Sequence, residues 1–328
     1  LVHGVSIDDG DTKMSKGKVT VLGINGHIGH HAARAFQAAG FEVTGFGRSN
    51  RHPIEGVSFF KGDADNSEDL RQAISGADIV VNALNLPYDQ WDKGRAEAQL
   101  ERVIAAMGDD GKTLMFPGNI YNYAASDRRI APSTPQRPQT PRGGIRQRQE
   151  AMLEAASKAG KFRAIILRAG DFYGPGNVGD WYDQAIMLNI GKGRIFRMGA
   201  PEIGHAWAYL PDLGRAFAAL GERREGFGAF ETFHFGGHFV THGALMEAIV
   251  QASPRPLKVA PLPWFFLQAM GLANGILREV VKMRYLWNHD MELVDPRLDA
   301  LLGPDFATPF AEAVGETVRP FLADKKAA

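Results

Sequence analysis

Short apolar runs alternate along the first half of the chain with stretches whose apolar positions recur at helical spacing. Val19-Thr20-Val21-Leu22 reads as a buried strand, followed by a glycine turn and a helix that runs on through Phe36. Further strands are predicted at Phe41–Phe46, Val57–Asp63, Ala77–Leu84, Lys112–Phe116 and Arg163–Arg168. Between them lie helices at Ser67–Ile74, with Ser67 as N-cap, at Trp91–Met107 and at Gly144–Ala159. Ala131–Pro141 carries four prolines among polar residues and reads as a surface loop. Strands alternating with helices predict an α/β fold, a doubly wound parallel sheet of Rossmann type covered on both faces.

Beyond Gly174 the regular pattern breaks into short helices, loops and an isolated strand at Thr232–Phe235. The expected organisation is a flexible tail or expression remnant over 1–17 and a nucleotide-binding domain over 18–173, its sheet completed by about 207–238. Residues 174–206 and 239–328 are expected to form a smaller, discontinuous substrate lobe at the carboxyl ends of the strands.

The turn after the first strand, Gly23-Ile24-Asn25-Gly26-His27-Ile28-Gly29, has the spacing that dinucleotide binding requires. Gly23 permits a tight reversal, Gly26 lets backbone approach a pyrophosphate, and Gly29 lets the helix pack closely on the strand. Asn25, His27 and Ile28 complete the predicted phosphate-binding turn. The second strand runs into Gly47-Arg48-Ser49-Asn50-Arg51. A carboxylate at its end would take the ribose of NAD, whereas arginine suits a 2′-phosphate, so Arg48 leads to the expectation of NADP(H) over NAD(H).

Composition narrows the partners. Lys plus Arg and Asp plus Glu both number 37, so no charge excess argues for nucleic acid, and a small-molecule substrate is expected. The absence of cysteine excludes disulfides and thiolate chemistry. The apolar stretch Pro261–Ala273 is shorter than the roughly 20 residues a membrane span needs. Cytoplasmic placement fits, and homo-oligomerisation is left open.

Taken together, Gly23–Gly29, Gly62-Asp63-Ala64-Asp65, Ile79–Leu84, Leu167–Gly176 and Ala208–Leu213 resemble the extended short-chain dehydrogenase/reductase superfamily of the NAD(P)-dependent epimerase/dehydratase type. The resemblance implies that Asp63, with Ala64 beside it, meets the adenine and that Ala83 and Leu84 flank the cofactor. It also implies that Pro117 and Gly118 lie along the cofactor and that Ala169, Gly170 and Phe172 border its nicotinamide end.

The family's catalytic pair is a tyrosine four residues before a lysine. Here Arg142 and Arg146 stand at those positions, and Gly118-Asn119 replaces the usual hydroxyl residues. The segment after the Lys112–Phe116 strand offers substitutes: Tyr121 or Tyr123 as the acid, Asn119 as an oxygen-orienting donor and Arg146 as an electrostatic partner. His205 and Trp207 are candidate pocket residues. His234, His238 and His242 do not form a metal site on this reading, because Gly236-Gly237 breaks any helix that would align them. Trp264–Trp287, with Arg278, Lys282 and Arg284 interspersed, reads as core packing, a cap on an apolar cavity, a partner helix or, more weakly, a membrane-surface helix.

The expected activity is hydride transfer to or from a carbonyl, enone or secondary alcohol of a small organic metabolite. Two alternatives stand beside it: a nucleotide-sugar-type epimerase or dehydratase, and a cofactor-binding sensor that has lost catalysis.

Overall fold

The computed structural model describes residues 15–176 and 179–322, so most of the predicted tail lies outside the described residues. Strands β1 (Lys18–Leu22), β2 (Glu42–Gly47), β3 (Val57–Lys61), β4 (Ile79–Asn82), β5 (Thr113–Asn119) and β6 (Arg163–Ala169) belong to one seven-stranded sheet. Two short strands follow outside it, β7 (Asp171–Tyr173) and β8 (Gly204–Tyr209). The seventh sheet member is β9 (Phe230–His234), so the stretch read as an isolated strand is in fact its edge. The spatial order is β9-β6-β5-β4-β1-β2-β3 and every pairing is parallel. The order reverses between β1 and β4, the switch point outside which doubly wound folds bind ligands.

Helices α1 (His27–Ala38), α2 (Ser67–Ile74), α3 (Arg95–Met107), α4 (Pro141–Lys158) and α5 (Leu210–Glu222) cover the sheet. Phe36 of α1 and Phe217 of α5 pack with Val19 and Val21 on one face. Leu70 of α2, Val103 of α3 and Leu153 of α4 pack with Val80 and Leu114 on the other. Asn66, rather than Ser67, caps α2, its side-chain oxygen accepting from the amides of Glu68 and Asp69.

Gly29 is fixed by close approach. A Cβ there would lie 2.3 Å from the Gly23 carbonyl oxygen, which seats α1 directly on the turn after β1. Gly29→Ala should therefore cost at least about 1–3 kcal/mol through overpacking, read as a lower urea midpoint.

The remaining chain forms a lobe with its own core. β8 pairs in parallel with β7 and antiparallel with β10 (His238–Thr241). Around this sheet lie α6 (His242–Ala252), α7 (Trp264–Gly271), α8 (Gly275–Lys282) and α10 (Phe310–Leu322), while α9 (Pro296–Leu302) packs through Leu298 beneath the main sheet. Trp207, Tyr182, Leu245 and Trp287 fill the lobe's centre.

Three buried histidines link stability to pH. Burial pushes His31 and His242 down to about 4 and His234 down to about 3, so the native state holds them neutral. An unfolded histidine takes up a proton near pH 6.5, so their stabilising contribution is complete above that pH and is lost as pH falls toward 4. Stability by urea denaturation should drop between pH 7 and pH 5, by about 1–2 kcal/mol for each histidine.

Candidate active site

A groove follows the carboxyl ends of β1, β2 and β4 across the switch point. Its outer part, a cavity of about 850 Å³, is lined by Gly23, Gly26, Arg48, Asp63, Ala64 and Leu84, among others. A second chamber of about 550 Å³ shares Asn25, Gly26 and Ala83 with it and adds His27, Ile28 and Phe172. Gly29 lies beneath, in the packing of α1 on the turn.

The turn fits a dinucleotide. α1 begins after Gly26, an N-cap residue with no side chain to bond the helix start, and the N-terminus of a helix favours an anion. A Cβ on Gly26 would meet nothing closer than 3.4 Å, which leaves the approach from the groove clear. The Asn25 side chain grips the next loop, its amide donating to the Ser49 carbonyl and its oxygen accepting from Arg51 N–H. Asp63 lines the outer groove and accepts from Asp65 N–H at 3.0 Å.

The groove opens at Asn85, Leu86 and Pro87 into a cavity of about 350 Å³ between the sheet and the lobe. Asn119, Tyr121, Arg146, Gly170, Asp171 and Phe172 all line it. The structure thus brings together three of the four predicted catalytic residues. Tyr123 stands apart: its hydroxyl meets His234 Nε2 at 3.3 Å and its ring lies under the Arg168 guanidinium at 5.1 Å.

Local packing explains the juxtaposition. Asn119 ends β5 and accepts from Tyr121 N–H at 3.1 Å, setting the short turn Ile120–Asn122. α4 comes down on that turn at Gly143, where a Cβ would lie 2.1 Å from the Tyr121 carbonyl oxygen. One helical turn later Arg146 projects into the cavity, over the Trp91 ring at 4.5 Å. Burial pushes Arg146 down to about 10, which leaves it cationic at neutral pH. Burial and then the charge of Asp171 raise Tyr121 well above the usual phenol range, so it keeps its proton.

Arg142, at the position of the family's tyrosine, does not reach the cavity wall. It is 1% exposed, stacks 3.9 Å from the Tyr88 ring centroid and faces Glu279 of α8 at 3.6 Å.

Sequence reasoning missed Asp171. Its buried carboxylate lines the cavity, and Oδ2 accepts from Trp287 Nε1 at 2.8 Å and faces His205 Nε2 at 2.9 Å. His205 Nδ1 faces the Leu286 carbonyl oxygen at 3.1 Å. Both ring nitrogens meet oxygens, so the ring is held from two sides. His205 therefore reaches the cavity only through Asp171, and Trp207 is wholly buried in the lobe core. The signal was unreadable locally because the two partners lie 34 residues apart.

Of the remaining predicted cofactor residues, Pro117, Gly118 and Ala169 belong to the paired segment of β5 and β6. A Cβ on Gly118 would lie 2.9 Å from Ile166, a packing role within the sheet. His234, His238 and His242 are each engaged separately, at the carbonyls of Ile130, Thr308 and Trp287. Among the described residues one group, His27, Asp180 and Asp183, has ligand-type atoms within 4.8 Å of one another.

A sequence model of the NAD dependent epimerase/dehydratase family matches residues 19–235, which include all but the first residue of the main sheet and most of the residues that line the cavity. The chain belongs to that family.

Solved structures share its fold. A UDP-glucose 4-epimerase from Brucella ovis, in complex with NAD, is 17% identical with a TM-score of 0.72, covering 93% of this chain and 98% of that one. A UDP-glucuronic acid 4-epimerase from Bacillus cereus, in complex with UDP-glucuronic acid and NAD, is 15% identical at the same TM-score and the same coverage. The 2-alkyl-3-oxoalkanoate reductase of Shewanella oneidensis is 39% identical over 64 residues, 19% of this chain. The match spans only 16% of that reductase's length.

These structures correct the cofactor expectation. Both epimerases hold NAD, as do other solved members of the fold, so the preference for NADP(H) drawn from Arg48 does not stand. The physical reason is visible in the loop. Arg48 is exposed on the groove rim, and no side chain among the described residues fixes its guanidinium against the groove. An exposed charge without an anchor of this kind is weak grounds for choosing a cofactor.

Proposed function

We propose that this chain is an NAD-dependent enzyme that oxidises and reduces a secondary-alcohol carbon of a nucleotide sugar, in the manner of an epimerase or dehydratase. The carrying observation is the continuity of the glycine-turn groove with the cavity lined by Asn119, Tyr121, Arg146 and Asp171. Family membership and the UDP-sugar ligands of the structural relatives support the substrate class.

Gly23, Gly26 and the first amides of α1 would hold the pyrophosphate, with Asp63 and Ala64 toward the adenosine end. Bound NAD supplies a two-electron acceptor and donor of hydride. Tyr121 would donate a hydrogen bond to the reacting oxygen, and Asp171 would accept the proton of that hydroxyl. His205 and Trp287 hold the Asp171 carboxylate in place from behind. Arg146 contributes a fixed positive charge in a site walled by aromatic rings, where it favours developing negative charge on oxygen.

The buried, cavity-averted Arg142 favours a second reading, a dinucleotide-binding sensor without turnover. Incubation with NAD⁺ and either UDP-glucose or UDP-glucuronic acid, followed by proton NMR of the sugar, separates the two. An epimerised or dehydrated sugar supports the enzyme. Tight NAD⁺ binding with both sugars unchanged favours the sensor.

A further inference from the structure

Helices α7 and α8 form a hairpin beside the cavity, and its outer face is apolar. Trp264 and Gly271 turn inward, with Leu267 packed against the lobe core. Phe265, Phe266 and Leu272 face outward, 85%, 65% and 86% exposed, and Met270 and Ile276 add to the same surface. Three large apolar side chains this open on one short segment exceed the scattered exposure ordinary in a soluble surface.

The sequence around this patch is basic. Over residues 254–288 the chain carries five basic residues, Arg255, Lys258, Arg278, Lys282 and Arg284, against one acid, although its overall net charge is zero. That acid, Glu279, is turned inward and engaged by Arg142 and Lys282. Arg278 is exposed and makes no ion pair among the described residues. The hairpin therefore presents aromatic and aliphatic side chains beside the exposed, unpaired Arg278, while Lys282 pairs with Glu279 and Arg284 lies over the Trp264 ring.

We propose that the α7–α8 hairpin docks on the surface of an anionic phospholipid bilayer, Phe265, Phe266 and Leu272 entering the interface while Arg278 and its neighbours meet the headgroups. No helix among the described residues is long and apolar enough to cross a membrane, so the hairpin lies on the surface. A second copy of the chain fits less well, since a two-fold contact would set the same basic residues against each other. Ile276 is both exposed on the hairpin and part of the cavity wall, so docking would set the cavity beside the lipid. This inference is independent of the proposed reaction.

The test is co-sedimentation of the full chain with phosphatidylcholine vesicles, with and without phosphatidylglycerol. Partition should be at least about tenfold stronger on the anionic vesicles and fall with added salt. The triple variant Phe265→Ser/Phe266→Ser/Leu272→Ser should lose it, while circular dichroism and urea midpoint stay at the parent values. Lack of partition by the parent overturns the proposal, as does undiminished partition by the triple variant. Light scattering that finds a parent dimer made monomeric by the triple variant overturns it in favour of self-association.

Discussion

Asp171→Asn is expected to lower turnover by about 10²–10⁴-fold, the usual contribution of a positioned proton acceptor. The amide keeps an oxygen for Trp287 Nε1, so the local packing is conserved while the proton-accepting oxygen is lost. NAD⁺ affinity should stay within about threefold of the parent, because the loss is confined to the transition state. Tyr121→Phe should also reduce kcat, because it removes the hydrogen bond to the reacting oxygen. An Asp171→Asn enzyme as active as the parent would remove the carboxylate from the chemistry.

Arg168→Met should destabilise the fold by about 3–5 kcal/mol, the cost of stranding a buried charge. Arg168 lies wholly buried behind the cavity and donates to Glu150 at 2.7 Å, to the Asn119 carbonyl oxygen at 2.6 Å and to His234 at 3.2 Å. Glu150 has one further donor, the Gln136 amide at 2.6 Å, while its other oxygen is buried without a partner. Removing the guanidinium leaves that carboxylate inside the protein with a single hydrogen bond. The double variant Arg168→Met/Glu150→Gln should recover a substantial part of the loss, because it removes both charges together. Urea denaturation of the two variants checks this, and equal destabilisation in both would show that lost packing rather than the stranded charge carries the cost. The same network anchors Asn119, so the single variant should also weaken turnover in whatever fraction remains folded.

The parallel sheet was legible because strands buried on both faces leave continuous apolar runs between turn residues, as in Ile79–Asn82 and Arg163–Ala169. The glycine turn was legible for a related reason: Gly23 and Gly29 answer to backbone distances, 2.8 Å to the Ala83 carbonyl oxygen and 2.3 Å to the Gly23 carbonyl oxygen. The lobe was not, since its strands are short and pair across long stretches, β7 with β8 and β8 with β10. Periodicity cannot reveal pairing of that kind.

The active cavity was half legible. Asn119 and Tyr121 follow a strand at the sheet's carboxyl end, where position alone implicates them. Tyr123, two residues on, differs only in the direction that an irregular turn gives it, and it ends against His234. Asp171 was passed over because its role depends on His205 and Trp287, which reach it from elsewhere in the chain. Arg48 shows the converse error, a suggestive residue type at the right place whose side chain nothing in the fold fixes.

The most direct test of the central claim is calorimetric titration of the full chain and of Gly26→Val with NAD⁺. The open cradle at Gly26 predicts binding at one NAD⁺ per chain that the valine side chain abolishes while the fold persists. Absence of binding to the parent, or binding that Gly26→Val leaves unchanged, would contradict the assignment of the groove as the cofactor site.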